Sequence, residues 1–186
     1  MGDVVYSMMA SIDGFINDAR GDFEWGQINE AVHRFAEAEQ ARETIALYGR
    51  RMYEMMAVWE KLADDPKAEP AERDFGRAWQ KAEKIVVSTT LETVTTPRTR
   101  LLRSLDAETL RALKASTEGR IGVSGPGLAA HCLAMGLVDE INIYTVPVLV
   151  GSGTPMFPLR DSVLKLTRTE QRNFDNGVSF ARYSVG

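Results

Sequence analysis

The stretch from Ile121 to Phe157 reads IGVSGPGLAAHCLAMGLVDEINIYTVPVLVGSGTPMF and constrains the fold more than any other. A short apolar run ends in Ser124-Gly125-Pro126-Gly127, and a helical pattern follows from Leu128 to about Met135. A strand pattern then runs from Glu140 to Val150, and a second small-residue loop closes the stretch at Gly151-Ser152-Gly153-Thr154. A strand that gives way to a helix through glycine belongs to an α/β layer architecture. Small residues at that junction let backbone N–H groups approach an anion such as a diphosphate, and the helix N-terminus adds partial positive charge. The same residues equally serve a tight turn with glycine at positive φ. The segment alone supports both readings.

A chain of 186 residues is long enough for one domain, spanning 1–186, with a sizeable core. Its 44% hydrophobic and 26% charged residues are ordinary for a soluble globular protein. A net charge of −4 gives no basic patch for nucleic acid. No run approaches the roughly eighteen apolar residues of a membrane span. The start MGDVVYSMM lacks the basic stretch and apolar core of a secretion signal. These features point to a cytoplasmic protein with neither membrane nor nucleic acid as partner. Cys132 is the sole cysteine, which excludes an internal disulfide and a cysteine zinc site. It lies in an apolar helical pattern and reads as a small buried hydrophobe. His33 and His131 fall on separate predicted helices without a partner at ligand spacing, so no metal is expected.

Strand and helix patterns alternate along the rest of the chain. Val4 to Met9 reads as a strand, and Ser11 to Trp25, with Gly14, Asn17, Asp18, Gly21 and Asp22, reads as a loop. Ile28, Ala31, Val32, Phe35 and Ala38 recur at helical spacing, which predicts a helix from about Gln27 to Glu43. Thr44 to Tyr48 suits a buried strand, Gly49 ends it, and Arg50 to Trp59 reads as helix. Leu62 to Ala71 reads as a surface loop, and Pro70 fits the first turn of a helix reaching about Ala82. Lys84 to Ser88 is a buried-strand pattern, a short strand is expected near Arg100 to Leu102, and Asp106 caps a helix reaching about Ser116. Val163 to Phe174 and Val178 to Val185 flank Asp175-Asn176-Gly177, a hairpin signal. The expected fold class is α/β: a mostly parallel mixed sheet in three layers, with helices on both faces and an antiparallel C-terminal hairpin.

Five segments in order carry a family resemblance: Ser11-Ile12-Asp13-Gly14-Phe15; Leu47-Tyr48-Gly49-Arg50-Arg51-Met52-Tyr53-Glu54; Lys84-Ile85-Val86-Val87-Ser88-Thr89-Thr90-Leu91; Gly136-Leu137-Val138-Asp139-Glu140; and Pro147-Val148-Leu149-Val150-Gly151-Ser152-Gly153. The chain resembles the dihydrofolate-reductase-like superfamily. Within it, the chain is most similar to the reductase domain of the bifunctional riboflavin-biosynthesis deaminase/reductase and its stand-alone bacterial relatives. The resemblance implies the dihydrofolate-reductase-like fold, an NADPH-dependent reductase activity and a homodimer.

That resemblance assigns roles to particular residues. Gly49, Arg50 and Arg51 open a helix where amides and guanidinium groups meet cofactor phosphate. Ser88 and Thr89 end another strand and are implied to bond the 2′-phosphate; without the resemblance they read as turn caps. Ser124, Gly125, Pro126, Gly127 and Leu128 match the loop over the diphosphate. Relatives often carry two glycines where this chain has Ser124-Gly125, which leaves a cis peptide there open. They also tend to carry Thr where Met52 stands, which removes one hydroxyl from the phosphate site. Ala10 and Gly14 are implied to lie beside the nicotinamide. Asp13 and Glu30 are the candidate catalytic acids, against an Asx-turn for Asp13 and an exposed helix glutamate for Glu30. Trp25 is a candidate substrate wall or a core residue. The implied reaction passes a hydride to a C=N or C=O bond of a small heterocyclic or sugar-derived substrate. The alternative is a non-catalytic nucleotide-, flavin- or pterin-binding protein on the same fold.

Overall fold

The computed structural model describes residues 1–26, 28–157, 159 and 162–186. The first strand, β1 (Asp3–Ser11), is followed by the short β2 (Phe15–Asp18) and a 3-10 turn. Then come α1 (Glu30–Gln40), β3 (Glu43–Gly49), α2 (Arg50–Met56), α3 (Trp59–Leu62), α4 (Pro70–Lys81), β4 (Glu83–Val87) and β5 (Thr99–Leu102). The remainder is α5 (Ala107–Ser116), β6 (Arg120–Ser124), α6 (Pro126–Ala134), β7 (Glu140–Val146), β8 (Gly153–Pro155), β9 (Leu166–Asn173) and β10 (Ser179–Val185). Eight strands form one sheet in the order β5-β4-β3-β6-β1-β7-β10-β9. β5 through β7 pair in parallel, and β10 runs antiparallel to both β7 and β9.

Burial on both faces explains the apolar runs, as a parallel sheet demands. Ile45 and Leu47 join Val4, Tyr6, Ile85, Ile121 and Val123 under α5 and α6 on one face. The alternating residues Ala46, Tyr48 and Val86 join Tyr53 of α2 and Trp79 of α4 on the other. Along the same second face, Val32 and Phe35 of α1 pack on Tyr144 and Phe180. The rings of Phe35 and Phe180 stand 4.8 Å apart, edge to face. The expected three-layer arrangement with helices on both faces is what the chain forms.

Several boundaries shift for identifiable reasons. The loop expected over Ser11 to Trp25 contains β2, which pairs antiparallel with β8. Neither strand shows periodicity because each has only three or four residues. Gln27, the expected start of α1, lies outside the described residues. α1 starts at Glu30, where the Asn29 side chain accepts the Val32 N–H at 3.0 Å as an N-cap. It ends at Gln40, before the expected Glu43, which instead opens β3. The helix expected from Arg50 to Trp59 is broken into α2 and α3. β7 stops at Val146 rather than Val150, ahead of Pro147, which has no N–H to give a ladder. α6 begins two residues early, with Pro126 in its first turn. The C-terminal hairpin turns at 175–177, with Gly177 at φ 84°.

An ionic layer lies between the C-terminal half of α1 and the sheet. Arg120 contacts Glu39 at 3.0 Å and Glu140 at 3.2 Å. Arg182 contacts Glu140 at 3.2 Å and also pairs with Glu39 and Glu170. Both arginine side chains are only 12–13% exposed. Removing one partner of a buried pair leaves charge uncompensated. Arg182→Leu is therefore expected to cost roughly 3–5 kcal/mol, measured by denaturant unfolding.

Glu43 lies beside this layer. Its carboxyl group lies over Gly122, where even a Cβ would come within 2.1 Å of the carboxyl carbon. Loss of hydration there pushes its pKa up to about 8, against the opposing pull of Arg120. The folded state keeps this proton where the unfolded chain has released it. Glu43 therefore contributes a stability that falls as pH rises from the ordinary glutamate range to about 8, and is level above that. Glu43→Gln is expected to flatten that slope between pH 5 and 8. At pH 8 it should raise the melting midpoint by roughly 2–4 °C per kcal/mol recovered.

Candidate functional site

The sheet order places the carboxyl ends of β4, β3, β6 and β1 in one row. β3 and β6 are neighbours, yet the chain leaves them in opposite directions. α2 packs on the face of Tyr48, whereas α6 packs on the face of Val123. A crevice opens where adjacent strands send their helices to opposite faces, and ligands of open α/β sheets bind there.

Glycine shapes both sides of that crevice. Gly49 precedes α2 in extended backbone, φ −73° and ψ 163°, and a Cβ on it would meet nothing within 4 Å. Among the described residues, none occupies the space a Gly49 Cβ would enter. Gly125 has φ 101°, a conformation that disfavours any side chain, and its Cβ position is 3.6 Å from Met52 of α2. The two loops are thus in touch across the divergence. A Cβ on Gly127 would also meet open space. The first turn of α6 carries no acidic residue, and the amides of Gly127 and Leu128 precede the first intrahelical bond, Ala129 N–H to Gly125 O at 3.0 Å. The Leu128 side chain packs into the core, so its backbone is held in place. No cis peptide occurs among the described residues, Ser124-Gly125 included.

Arg50 bridges the ends of β3 and β4. Its Nε donates to Glu54 at 2.8 Å and its Nη1 donates to Thr90 Oγ1 at 3.2 Å. Arg51 is exposed and makes no ion pair among the described residues. Ser88 is buried, and its Oγ accepts the N–H groups of Leu91 at 3.0 Å and Thr90 at 3.2 Å. It serves as a turn cap, the local alternative. Thr89 is exposed. The hydroxyl turned toward Arg50 belongs to Thr90, which the sequence reading passed over. The Ser-x-Thr spacing of a hydroxyl turn was the available signal.

Ala10 lies in the core one residue before the end of β1, and Gly14 follows at φ 86°. Between them the loops at 11–14 and 148–151 are joined. Ile12 N–H bonds Val148 O at 3.0 Å. Asp13 accepts the N–H of Gly151 at 2.7 Å and that of Val150 at 3.1 Å. The Ser11 hydroxyl, with the amides of Gly151 and Val150, holds the exposed Asp13 carboxyl down to a pKa of about 2. A carboxylate this acidic is ionised at working pH and poorly suited to donate a proton. The geometry makes Asp13 an anchor between two loops. Glu30 is exposed at the start of α1 and pairs with Arg34 at 2.6 Å. This is the geometry of the exposed helix glutamate weighed above. Trp25 is half-buried, donates from Nε1 to Asp22 O at 3.0 Å and packs against the buried cluster that holds Val32, Tyr144 and Phe180.

A family model for the RibD C-terminal domain matches residues 3–180. The chain belongs to the RibD C-terminal domain family. Membership supports a reductase-type function. The uncharacterised YyaP of Bacillus subtilis strain 168 is 23% identical over 94% of this chain and 90% of its own. A Shewanella sp. PV-4 protein assigned to riboflavin biosynthesis superposes with a TM-score of 0.74 at 21% identity, covering 100% of this chain and 99% of that one. Enterococcus faecalis dihydrofolate reductase, solved with NADP(H), gives 0.66 at 15% identity, covering 100% and 97%. The dihydrofolate-reductase-like fold follows from these superpositions. No helix among the described residues is long and apolar enough to cross a membrane.

The clamp at Asp13 has a sign. Because its folded pKa is depressed, the anchor is complete above the ordinary carboxylate range and weakens as pH falls toward 2. Asp13→Asn is expected to speed hydrogen exchange at the Val150 and Gly151 amides several-fold at pH 7, while amides of β1 and β6 keep their protection.

Proposed function

We propose that this RibD C-terminal domain is an NADPH-dependent reductase acting on a C=N or C=O bond of a small heterocyclic or sugar-derived substrate. The observation that carries the reading is the crevice between β3 and β6, lined by open glycine positions on both sides and by cations on one. It suits a dinucleotide, because a Cβ at Gly49 or Gly127 would enter its space and Gly125 has the φ of a close-approach loop. In this reading Arg50 and Arg51 hold phosphate and Thr90 supports Arg50. The amides of Gly127 and Leu128, with Ser124, Gly125 and Pro126 shaping their loop, receive the diphosphate. Ser88 and Thr89 order the turn that carries Thr90. Ala10 and Gly14 border the nicotinamide end, which Asp13 orders by fixing its loop to 150–151. Bound NADPH supplies the hydride. With Asp13 committed and Glu30 exposed, the proton is drawn from solvent. In this reading residues 1–186 fold as one domain, act in the cytoplasm and pair as a homodimer.

The second reading, a non-catalytic nucleotide-, flavin- or pterin-binding protein, draws on two observations. Neither carboxylate is placed as a proton donor, and Met52 faces Gly125 where relatives tend to carry Thr.

A thermal-shift titration with NADPH and NADH tests both readings. A ligand that binds only the folded state adds about 2.7 kcal/mol at a hundredfold excess over its Kd. The shift is expected to be larger with NADPH. Arg50→Ala is expected to weaken NADPH about tenfold, which is about 1.4 kcal/mol, and NADH less. No shift with either nucleotide would end the reductase reading. A shift without turnover on pterin, pyrimidine or carbonyl substrates would favour the second.

A further inference from the structure

A groove of about 1150 Å³ lies between α1, the α2–α3 turn and α4. None of the glycine or arginine residues of the dinucleotide crevice lines it. α2 links the two, with Arg50 at its start and Met55 and Met56, which line the groove, at its end. Its walls are apolar where a solvated cleft would be polar. Phe23, Ile28, Met55 and Val58 line it, each 44–55% exposed. Four large apolar side chains left open around one groove mark a ligand surface.

Its floor is aromatic. Trp59 and Phe75 stand 4.4 Å apart, with the His33 ring 5.6 Å from Phe75. His33 Nδ1 is removed from water and has no hydrogen-bond partner among the described residues, a state that buried polar atoms rarely keep. Its charge is mainly negative. Glu30, Glu37, Glu69, Glu72 and Asp74 line the groove against one described cation, Arg34; Arg34 pairs with Glu30, and Asp74 pairs with Arg77 outside the lining. Flat aromatic faces and a negative rim attract a cationic ring and repel a phosphate.

Resting on the reductase reading, we infer that this groove is the substrate pocket, and that it takes a flat aromatic compound carrying a positive charge and no phosphate. A sugar phosphate would find no unpaired cation on the described walls, whose lining carries more carboxylates than cations. Within the broad substrate class proposed above, the groove therefore selects the heterocyclic branch.

Three probes sharing one ring separate these terms: 1-naphthylmethylamine, 1-naphthylmethanol and 1-naphthyl phosphate. Calorimetric titration at pH 7 would use the full chain, with and without NADPH. The amine is expected to bind at least about tenfold more tightly than the phosphate, with the alcohol between them. Val58→Trp, at a half-exposed position, is expected to fill the groove and weaken the amine at least about fivefold without moving the melting midpoint. Phe75→Ala, which removes one ring of the floor, is expected to weaken it as well. Amine binding that meets these terms supports the pocket even if NADPH fails to bind, in which case only the reductase reading falls. The proposal is overturned if the phosphate binds as well as the amine, if no probe binds, or if Val58→Trp leaves amine binding unchanged. A NADPH shift alongside any of those results would leave the reductase reading standing.

Discussion

The position of β6 is the constraint on which the rest depends. It returns late in the chain and inserts between β3 and β1, pairing in parallel with both. That insertion puts Ser124 beside Tyr48 and creates the neighbouring pair whose helices leave to opposite faces. Without it, the loops at Gly49 and Gly125 would not adjoin. The residues needed are modest: an apolar run flat enough to be buried on both sides, and a glycine at each strand end. The crevice is thus a product of topology first and of side chains second.

The opposite end of the sheet solves a different problem. α1 must lie on a sheet half whose residues are aromatic near one end and charged near the other. Its N-terminal half is held by ring contacts around Phe35, and its C-terminal half by Glu39 shared between two arginines. Edge-to-face rings add about 0.5–1.5 kcal/mol each beyond burial, so both halves have comparable means of attachment. Gly122 completes the arrangement by leaving space on β6 into which Glu43 folds. A helix fixed at both ends is a fixed wall for the groove it borders.

Much of the fold was legible because its strongest signals are local. Runs such as Ile45–Tyr48 are buried on both faces, Asp106 caps α5 with its carboxylate on the Thr109 amide, and the turn at 175–177 is where Asn-Gly stands. β2 and β8 were illegible because a three-residue pairing leaves no period to read. At the site, the glycine loops were readable from strand–helix junctions. The partners of the polar side chains were not, since they lie far along the chain. Asp13 meets the amides of Val150 and Gly151, and Arg50 meets Thr90. A carboxylate's solvation and partners decide its role, and sequence does not carry them. The groove went unread for the same reason: His33, Trp59 and Phe75 come from three helices.

The late return of β6 also sets an order of assembly. Val4 finds its partner only at Ile121, and Tyr6 finds its other neighbour only at Ile141. During synthesis, β1 and β3 therefore wait with unpaired edges until the last third of the chain has emerged. Such distant parallel pairing is slow to close, and unpaired apolar strands are the segments most prone to associate with other chains. The same insertion that builds the crevice makes closure of the central sheet wait for residues beyond 119, so that cooperative closure comes late.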